Sequence, residues 1–307
     1  MTPAATAAAP EPLVQTLRLG RLTVHAIQAG GQQLDGGAMF GVVPKPLWER
    51  RIAADARNRI PLGMRCLLVE HDAGLVLVDT GLGNKEDAKF HDIYGVANAG
   101  ANGRTRLEDG IRAAGHAPED VRYVVNTHLH FDHAGGNTCR DPDGTVRPSF
   151  PAAQVMVHEG ELAYARAPNE RTAASYLPHN YEPLAAAGRL VPVRGSDPEV
   201  LPGVRLLHTP GHTPFHHSVL VESAGETLCF LGDLVPTAAH LPLPWIMGYD
   251  VEPLVTLETK RRVLARAAAE GWLVVFEHDA RVPWGRVVHD GRQYALDSDG
   301  PRPQQPA

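Results

Sequence analysis

The chain has 307 residues, of which 43% are apolar and 21% are charged, and its formal net charge is −6. This apolar content is enough for a sizeable core in one large domain or two small ones. The negative charge and the absence of a long Lys/Arg run disfavour nucleic acid or an acidic membrane as a partner. The three cysteines form no CxxC pair, which argues against a disulfide framework and a cysteine-based zinc site.

Both ends of the chain have the composition of flexible tails. Residues 1–16 begin with an Ala/Pro-rich stretch that lacks a basic n-region, so we expect a tail rather than a signal peptide. Residues 297–307 are expected to form a second tail. No apolar run approaches the length of a membrane span. The expected organisation is a single domain over residues 17–296 in a cytoplasmic protein without a membrane partner.

Short apolar runs separated by turns predict strands in both halves of the chain. These strands are expected at 22–27, 64–71, 75–80, 121–127, 154–158, 204–209, 217–222, 227–232 and 272–276. Helices are expected at 104–115, where Thr105 and Glu108 can form a capping box, at 159–167, and at 253–270. In the last helix, apolar positions 254, 257, 264 and 268 are expected to share the buried face.

No Pro/Gly/Ser-rich linker separates the two halves, and each half contains strands followed by helices. This pattern predicts an α+β fold in which two mixed β-sheets pack together with helices outside, an αββα sandwich with an internal pseudo-repeat.

The segment His128–His133, with the sequence HLHFDH, places three histidines and one aspartate within six residues. His128 and His130 are two residues apart at the end of a predicted strand, so both side chains are expected on one face. Asp132 and His133 follow where the chain turns, and the Ala-Gly-Gly after them allows a tight turn. One short segment therefore offers two pairs of metal ligands to neighbouring points.

Three further ligand-type residues, His212, Asp233 and His278, each stand in a turn at the end of a predicted strand. The predicted metal ligands are therefore His128, His130, Asp132, His133, His212, Asp233 and His278. Nitrogen and oxygen ligands without a thiolate favour zinc, with cobalt, manganese or iron as alternatives. The sequence predicts two divalent metal ions.

These motifs resemble the metallo-β-lactamase-fold hydrolase superfamily over most of the chain, from residue 17 to residue 290. The resemblance implies the αββα sandwich. It also implies one metal ion on His128, His130 and His212, a second on Asp132, His133 and His278, and a bridging Asp233. Asp79, in the DTG sequence that matches the family's first motif, is expected to orient the ligand segment from a second layer. His217 is expected to form hydrogen bonds in that layer rather than to bind metal.

The chemistry expected of such a site is hydrolysis. Two divalent ions about 3.5–4 Å apart hold a shared hydroxide that is nucleophilic at neutral pH. Asp132 would take or return the proton of the leaving group. Oxygen-reducing di-iron members of the superfamily typically carry an acid at the position of His130, so a histidine there favours hydrolysis over redox chemistry.

The stretch LDGGAMFGVVPKPLW at 34–48 carries apolar side chains in a Gly/Pro-rich context. We interpret it either as a loop packed on the core or as an apolar flap over the metal site or a homodimer contact. It is very similar to the N-terminal loop of YtnP-type quorum-quenching lactonases, and residues 232–250 also resemble that branch. The resemblance implies attack of the bridging hydroxide on the ring carbonyl of an N-acyl-homoserine lactone, followed by ring opening.

An acyl chain needs an apolar trough. The expected pocket residues are Met39, Phe40, Trp48, Trp245, Ile246 and Met247. Several homoserine lactonases of the superfamily carry a carbonyl-assisting tyrosine three residues after the bridging aspartate, where this chain has Pro236. His240, Tyr249 and Tyr181 are the candidates for that role here.

Other functions remain open at this stage. The alternative enzyme is a phosphotriesterase or arylesterase similar to methyl-parathion hydrolase, because both transition states place negative charge on a metal-bound oxygen. A β-lactamase is disfavoured because the β-lactamases of this fold typically lack a bridging carboxylate such as Asp233, and a nuclease is disfavoured by the net charge. A metal-dependent binder of acyl lactones is the alternative of a different class, and it would release no product.

Overall fold

The protein is described by a computed structural model that covers residues 12–298. Its strands are β1 (Val14–Leu19), β2 (Leu22–Asp35), β3 (Arg59–His71), β4 (Gly74–Val78), β5 (Val121–Val125), β6 (Thr138–Arg140), β7 (Val146–Pro148), β8 (Gln154–His158), β9 (Leu190–Val193), β10 (Glu199–Leu201), β11 (Val204–His208), β12 (His217–Ser223), β13 (Glu226–Phe230), β14 (Leu273–Val275), β15 (Trp284–His289) and β16 (Tyr294–Leu296). Its α-helices are α1 (Gly36–Phe40), α2 (Lys45–Trp48), α3 (Ala88–Tyr94), α4 (Arg106–Ala113), α5 (Phe131–Ala134), α6 (Glu159–Arg166), α7 (Glu182–Ala186) and α8 (Pro253–Glu270).

The strands form two seven-stranded sheets and a small hairpin. The first sheet has the order β1-β2-β3-β4-β5-β8-β9, the second runs from β10 to β16 in sequence order, and β6 pairs with β7. Both large sheets are mixed, because β4, β5, β8 and β9 pair in parallel in the first and β13 pairs in parallel with β14 in the second. The predicted α+β sandwich of two mixed sheets is confirmed.

Alternating side chains divide each strand between two cores. In β12, Val219 and Val221 pack between the sheets, whereas Leu220 packs under α8 on the outside. In β4, Val76 faces the other sheet, whereas Leu77 packs with residues of α4. The period of two that governs strand side chains thus produces the four layers: helix, sheet, sheet and helix.

Helix α8 spans 253–270 as predicted, and its buried face matches the predicted one only in part: Leu264 is buried, and Leu257 and Ala268 are half-buried. The side chain of Leu254 is 78% exposed, so the expected apolar face is wrong at its first position. The buried residues are Thr256, Thr259, Lys260, Val263, Leu264 and Ala267. Thr259 donates a hydrogen bond to the Pro210 carbonyl, and the Lys260 ammonium donates to two loop carbonyls. These hydrogen bonds allow polar residues to lie on the buried face of α8, which the spacing of apolar residues alone does not predict.

The first sheet begins before the expected domain boundary at residue 17. Strand β1 starts at Val14 and pairs with β2, with Val14 opposite Ile27 and Thr16 opposite His25. The last residues of the expected tail 1–16 are therefore part of the sheet, while residues 1–11 lie outside the described range. At the other end, residues 299–307 of the expected tail 297–307 also lie outside it.

The stretch at 34–48 is helical and packed on the core. Asp35 caps α1 by accepting a hydrogen bond from the Ala38 amide. Phe40 stacks on Trp48 with 5.4 Å between ring centroids, and both rings are buried. Of the two interpretations made from the sequence, the structure agrees with a segment packed on the core.

Over residues 12–298, no helix combines the length and the apolar character that a membrane crossing requires.

Candidate metal centre

The seven predicted ligands come together at one edge of the sandwich, and we refer to them as the His–Asp cluster. They lie in the segments that follow β5, β11, β13 and β14, and all seven are buried: His128, His130, Asp132, His133, His212, Asp233 and His278. Strands β4, β5 and β8 are parallel, so their C-terminal ends lie together at this edge of the first sheet.

The cluster consists of two groups whose ligand atoms each lie within 4.8 Å of one another. The first group is His128, His130, His212 and Asp233, and the second is Asp132, His133 and His278. Asp233 also reaches the second group: its Oδ2 is 3.0 Å from His212 Nε2, and its Oδ1 is 3.0 Å from His278 Nε2. One carboxylate therefore lies between the two groups, the position predicted for a bridging ligand.

Ring nitrogens of neighbouring ligands face one another in the cluster. His130 Nδ1 is 3.1 Å from His212 Nε2, and His278 Nε2 is 3.2 Å from His133 Nε2. Among the described residues, the buried atoms His128 Nε2 and His130 Nε2 have no hydrogen-bond partner. Converging buried lone pairs of nitrogen and oxygen are the donors that a divalent transition metal accepts. The chemistry of this donor set therefore fits metal ions.

The charge distribution of the cluster favours a cation beside Asp233. Burial alone would raise the pKa of Asp233, but the neighbouring imidazoles hold it well below its ordinary value. Burial lowers the pKa of His212 and His278, but the surrounding carboxylates, Asp233 foremost, together outweigh burial and raise the pKa of His212 to about 10 and of His278 to about 9. Without metal, protonated imidazoles would supply the positive charge that a bound cation otherwise supplies.

Asp79 lies behind the cluster, as predicted for a second layer. Its Oδ1 accepts a hydrogen bond of 2.8 Å from the Thr127 amide, and its Oδ2 accepts one of 2.7 Å from the Thr127 hydroxyl. Oδ2 also lies 3.1 Å from His133 Nδ1. Asp79 has a φ of 52°, an unfavourable backbone for a residue with a side chain, held here by these contacts.

Other groups that also orient the ligands were not identified from the sequence. Asp250 Oδ1 lies 2.9 Å from His212 Nδ1, and Glu277 Oε2 lies 2.9 Å from His133 Nδ1. The Gly63 carbonyl lies 2.8 Å from His278 Nδ1, and Gln32 Nε2 donates to Asp132 Oδ2. Of these groups, only Glu277 could have been suspected from the sequence, because it immediately precedes a predicted ligand. The others come from distant parts of the chain.

Glu161 is a further buried carboxylate that links the two ligand segments. It accepts hydrogen bonds from the Leu129 amide at 3.1 Å, the Tyr176 hydroxyl at 2.9 Å and the Thr213 hydroxyl at 2.7 Å. Leu129 lies between two ligands of the first group, and Thr213 follows His212. Glu161 therefore fixes the separation of the two segments that carry the first group.

The side-chain contacts of His217 lie with Phe215, Ser196, His158 and His208 rather than with the ligands. Its Nδ1 lies 2.8 Å from the Phe215 carbonyl, and its ring stacks with His158 at 4.7 Å between centroids. The expectation of a second-layer role for His217 is corrected in favour of its neighbour His216, which is fully buried and accepts a hydrogen bond of 3.1 Å from the Asp233 amide. Adjacent strand residues point to opposite faces, so one position decides which of them reaches the cluster.

A cavity of about 410 Å³ opens directly onto the cluster. Five predicted ligands border it: His130, Asp132, His212, Asp233 and His278. Met39, Met247 and Tyr249 line it, as do Tyr94, Phe131 and Arg171, which were not expected from the sequence. Phe40, Trp48 and Trp245 do not line this cavity; they form an aromatic core behind Met39. Ile246 borders a different cavity on the neighbouring surface.

His240 and Tyr181 are placed away from any carbonyl-assisting role. His240 is fully buried, with Nε2 2.8 Å from the Met39 carbonyl and Nδ1 2.8 Å from the Thr237 hydroxyl. Both ring nitrogens are thus occupied within the core, which corrects the expectation of a catalytic His240. The Tyr181 hydroxyl donates to the Ala165 carbonyl. Of the three candidates for the carbonyl-assisting role, Tyr249 lines the cavity, and 43% of its surface is exposed.

Comparison with known proteins agrees with this geometry. The sequence matches the Metallo-beta-lactamase superfamily over residues 61–278. It is 33% identical to an N-acyl homoserine lactonase from a Bacillus species over 230 residues, covering 72% of this chain and 82% of that protein. A solved structure of a probable metal-dependent hydrolase from Staphylococcus aureus is 30% identical, with a TM-score of 0.82 over 92% of this chain and 99% of that chain.

The dizinc quorum-quenching lactonase AidC has a TM-score of 0.75 over 94% of this chain and 98% of its own, and at 19% identity it shows the shared fold alone. The match over residues 61–278 covers more than half of the chain and includes all seven predicted ligands. The chain therefore belongs to the metallo-beta-lactamase superfamily of hydrolases.

Proposed function

We propose that this protein opens the lactone ring of N-acyl-homoserine lactones by metal-dependent hydrolysis. The observation that carries the proposal is the cavity of about 410 Å³, which is lined by members of both ligand groups and by apolar side chains. Met39, Met247 and Phe131 provide an apolar wall for an acyl chain, while the His–Asp cluster faces the position of the ring. The name of the Bacillus relative, N-acyl homoserine lactonase, supports this substrate class.

The metal ions belong to the two ligand groups. His128, His130 and His212 would hold one ion, Asp132, His133 and His278 the other, and Asp233 would contact both. When bound, such a pair of ions supplies a water of lowered pKa and Lewis acidity toward the carbonyl oxygen. Zinc suits these nitrogen and oxygen ligands best, and cobalt, manganese or iron are compatible with them.

Asp132 is the group proposed to move the proton. Gln32 donates a hydrogen bond to its Oδ2 and thereby fixes the orientation of the carboxylate at the cavity edge. Asp132 would accept the proton of the attacking water and return it to the ring oxygen as the ester C–O bond breaks, so that the product is the free hydroxy acid.

Tyr249 is proposed to hold the substrate carbonyl. Burial raises the pKa of its hydroxyl to about 12, so the group stays protonated at neutral pH. It can therefore donate a hydrogen bond to the carbonyl oxygen as negative charge develops there. It would replace the tyrosine that several lactonases carry at the position of Pro236.

The test is a substrate panel assayed by proton release with the zinc- or cobalt-loaded protein. We expect the highest kcat/KM on acyl-homoserine lactones, with lower values on γ-lactones, paraoxon and nitrophenyl esters. Asp132→Ala and His133→Ala should abolish turnover, whereas His91→Ala, which replaces a half-buried histidine on α3 that does not line the cavity, should not change it.

Fast paraoxon turnover with negligible lactone cleavage would replace this proposal with the phosphotriesterase. Stoichiometric lactone binding without product would instead identify a binder. Turnover that persists in both ligand variants would contradict the assignment of the metal site.

A further inference from the structure

A second group of metal-ligating side chains lies at the opposite end of the first sheet, on its outer face. His25 is on β2 and Glu70 is on β3. Thr23 lies directly opposite Glu70, and His25 follows two residues after Thr23, so the side chains of His25 and Glu70 point to the same face of the sheet. His116 follows α4, just before β5 begins. Because β5 runs from this end of the sheet to the His–Asp cluster, the two groups of ligands are separated by the length of a strand. We refer to His25, Glu70 and His116 as the outer-face cluster.

The distances within the outer-face cluster match those of a metal site. Glu70 Oε1 is 3.3 Å from His25 Nε2 and 2.9 Å from His116 Nε2. One ligand atom from each of the three residues lies within 4.8 Å of the others. Ligands of a tetrahedral zinc ion, at bonds of roughly 2.0–2.1 Å, lie about 3.3 Å from one another. A small ion could therefore bind after only minor side-chain movement.

The surroundings orient one ligand and leave access for the ion. The Thr16 hydroxyl lies 2.8 Å from His25 Nδ1 and directs the opposite nitrogen of that ring to Glu70. The side chain of His25 is 7% exposed, that of His116 is 28% exposed and that of Glu70 is 40% exposed. His25 is buried and would hold the ion in place, while the partly exposed His116 and Glu70 leave room for a water molecule as the fourth ligand.

We propose that His25, Glu70 and His116 bind a third divalent transition-metal ion, which ties the end of α4 to strands β2 and β3. Two imidazoles and one carboxylate select zinc, cobalt, nickel or copper over magnesium and calcium, which prefer oxygen ligands. This ion lies outside the His–Asp cluster, so the inference does not depend on the proposed lactonase activity.

The experiment uses the full-length protein with zinc as the probe, and counts zinc per chain by mass spectrometry after equilibration and desalting. We expect three zinc ions in the unmodified protein and two in His116→Ala and in Glu70→Gln. His91→Ala removes another half-buried histidine outside the outer-face cluster and should keep three. Excess magnesium should not displace the third ion.

Calorimetric titration of the two-zinc protein gives the affinity directly. Glu70→Gln preserves a hydrogen-bond acceptor for the two imidazoles, and we expect it to weaken the last binding event at least about 10-fold. The zinc-dependent rise in Tm beyond two equivalents should disappear in His116→Ala when it is measured against the Tm of the same variant without metal. Only two ions in the unmodified protein, a third ion retained in His116→Ala, or displacement by magnesium would overturn the proposal.

Discussion

Asp250 Oδ1 lies 2.9 Å from His212 Nδ1, and both side chains are almost completely buried. The carboxylate accepts the Nδ1–H hydrogen bond and so directs the lone pair of Nε2 toward His130 and Asp233. Carboxylates in this position fix the tautomer of a ligating histidine and raise its basicity. The loop that carries Asp250 also lines the cavity through Tyr249, so one segment serves both the ligand and the substrate side.

Replacing Asp250 should therefore weaken the metal site. For Asp250→Asn we expect zinc affinity and kcat/KM to fall by about 10–100-fold, because the amide can present its NH₂ group to Nδ1 and favour the wrong tautomer. Chelator competition measures the affinity, and lactone hydrolysis measures the activity. Asp92→Asn, an exposed carboxylate on α3, is the matched control. Equal zinc affinity in the two variants would exclude the orienting role.

Tyr249→Phe should lower kcat with little change in KM. The hydroxyl is proposed to bind the carbonyl oxygen more strongly as charge develops, so its removal affects the transition state more than the ground state. We expect a fall in kcat of about 10-fold, the value of one net hydrogen bond. Steady-state kinetics on one acyl-homoserine lactone, together with a zinc count, check the result. An unchanged kcat would remove Tyr249 from the mechanism.

His240→Ala should reduce stability rather than catalysis. The substitution removes hydrogen bonds to the Met39 carbonyl and the Thr237 hydroxyl and leaves a cavity beside Phe40, whose ring lies 4.3 Å from that of His240. We expect a loss of about 2–4 kcal/mol in the free energy of unfolding. Urea unfolding measures it. A kcat of the folded variant that falls far more than that of Tyr249→Phe would return His240 to the list of catalytic residues.

The difference between Tyr249 and His240 shows which part of the site could be predicted from the sequence. The ligands stand directly after strands in short motifs, and a strand end fixes the place of a residue in the fold. That His128, His130 and Asp233 come together could therefore be predicted without coordinates. Pocket residues lie in long connections, where chain order does not reveal which side of a segment faces the cavity.

The stretch at 34–48 illustrates the same limit. The sequence leaves open whether its apolar residues pack on the core or cover the metal site; helices α1 and α2 direct Phe40 and Trp48 into the core while Met39 reaches the cavity. Likewise, the face of α8 was only partly predicted because Lys260 and Thr259 are buried through hydrogen bonds to loop carbonyls. Partners of this kind come from distant segments and leave no periodic signal.

Lys260 gives a prediction about pH. Its ammonium group donates to the carbonyls of Pro242 and Trp245 beneath the cavity loop. Burial lowers its pKa from 10.5 to about 7, although Asp250 nearby acts to raise it. Between these two values the unfolded chain binds a proton that the folded chain does not. The free energy of unfolding should therefore increase with pH across this window, by at most about 1.4 kcal/mol per unit.

Below about pH 7 both states hold the proton, so the cost of burying the charge is fully present and constant. Lys260→Met removes this titration. The free energy of unfolding of the unmodified protein, minus that of the variant, should thus rise between about pH 7 and pH 10. Burial also lowers the pKa of Lys85, to about 8, but both proteins contain Lys85, so its contribution cancels in the difference. Urea unfolding at several pH values measures both proteins, with Arg261→Met, the adjacent exposed position, as the control. Parallel curves for the protein and Lys260→Met would mean that the hydrogen bonds to the two carbonyls keep Lys260 charged across the whole range.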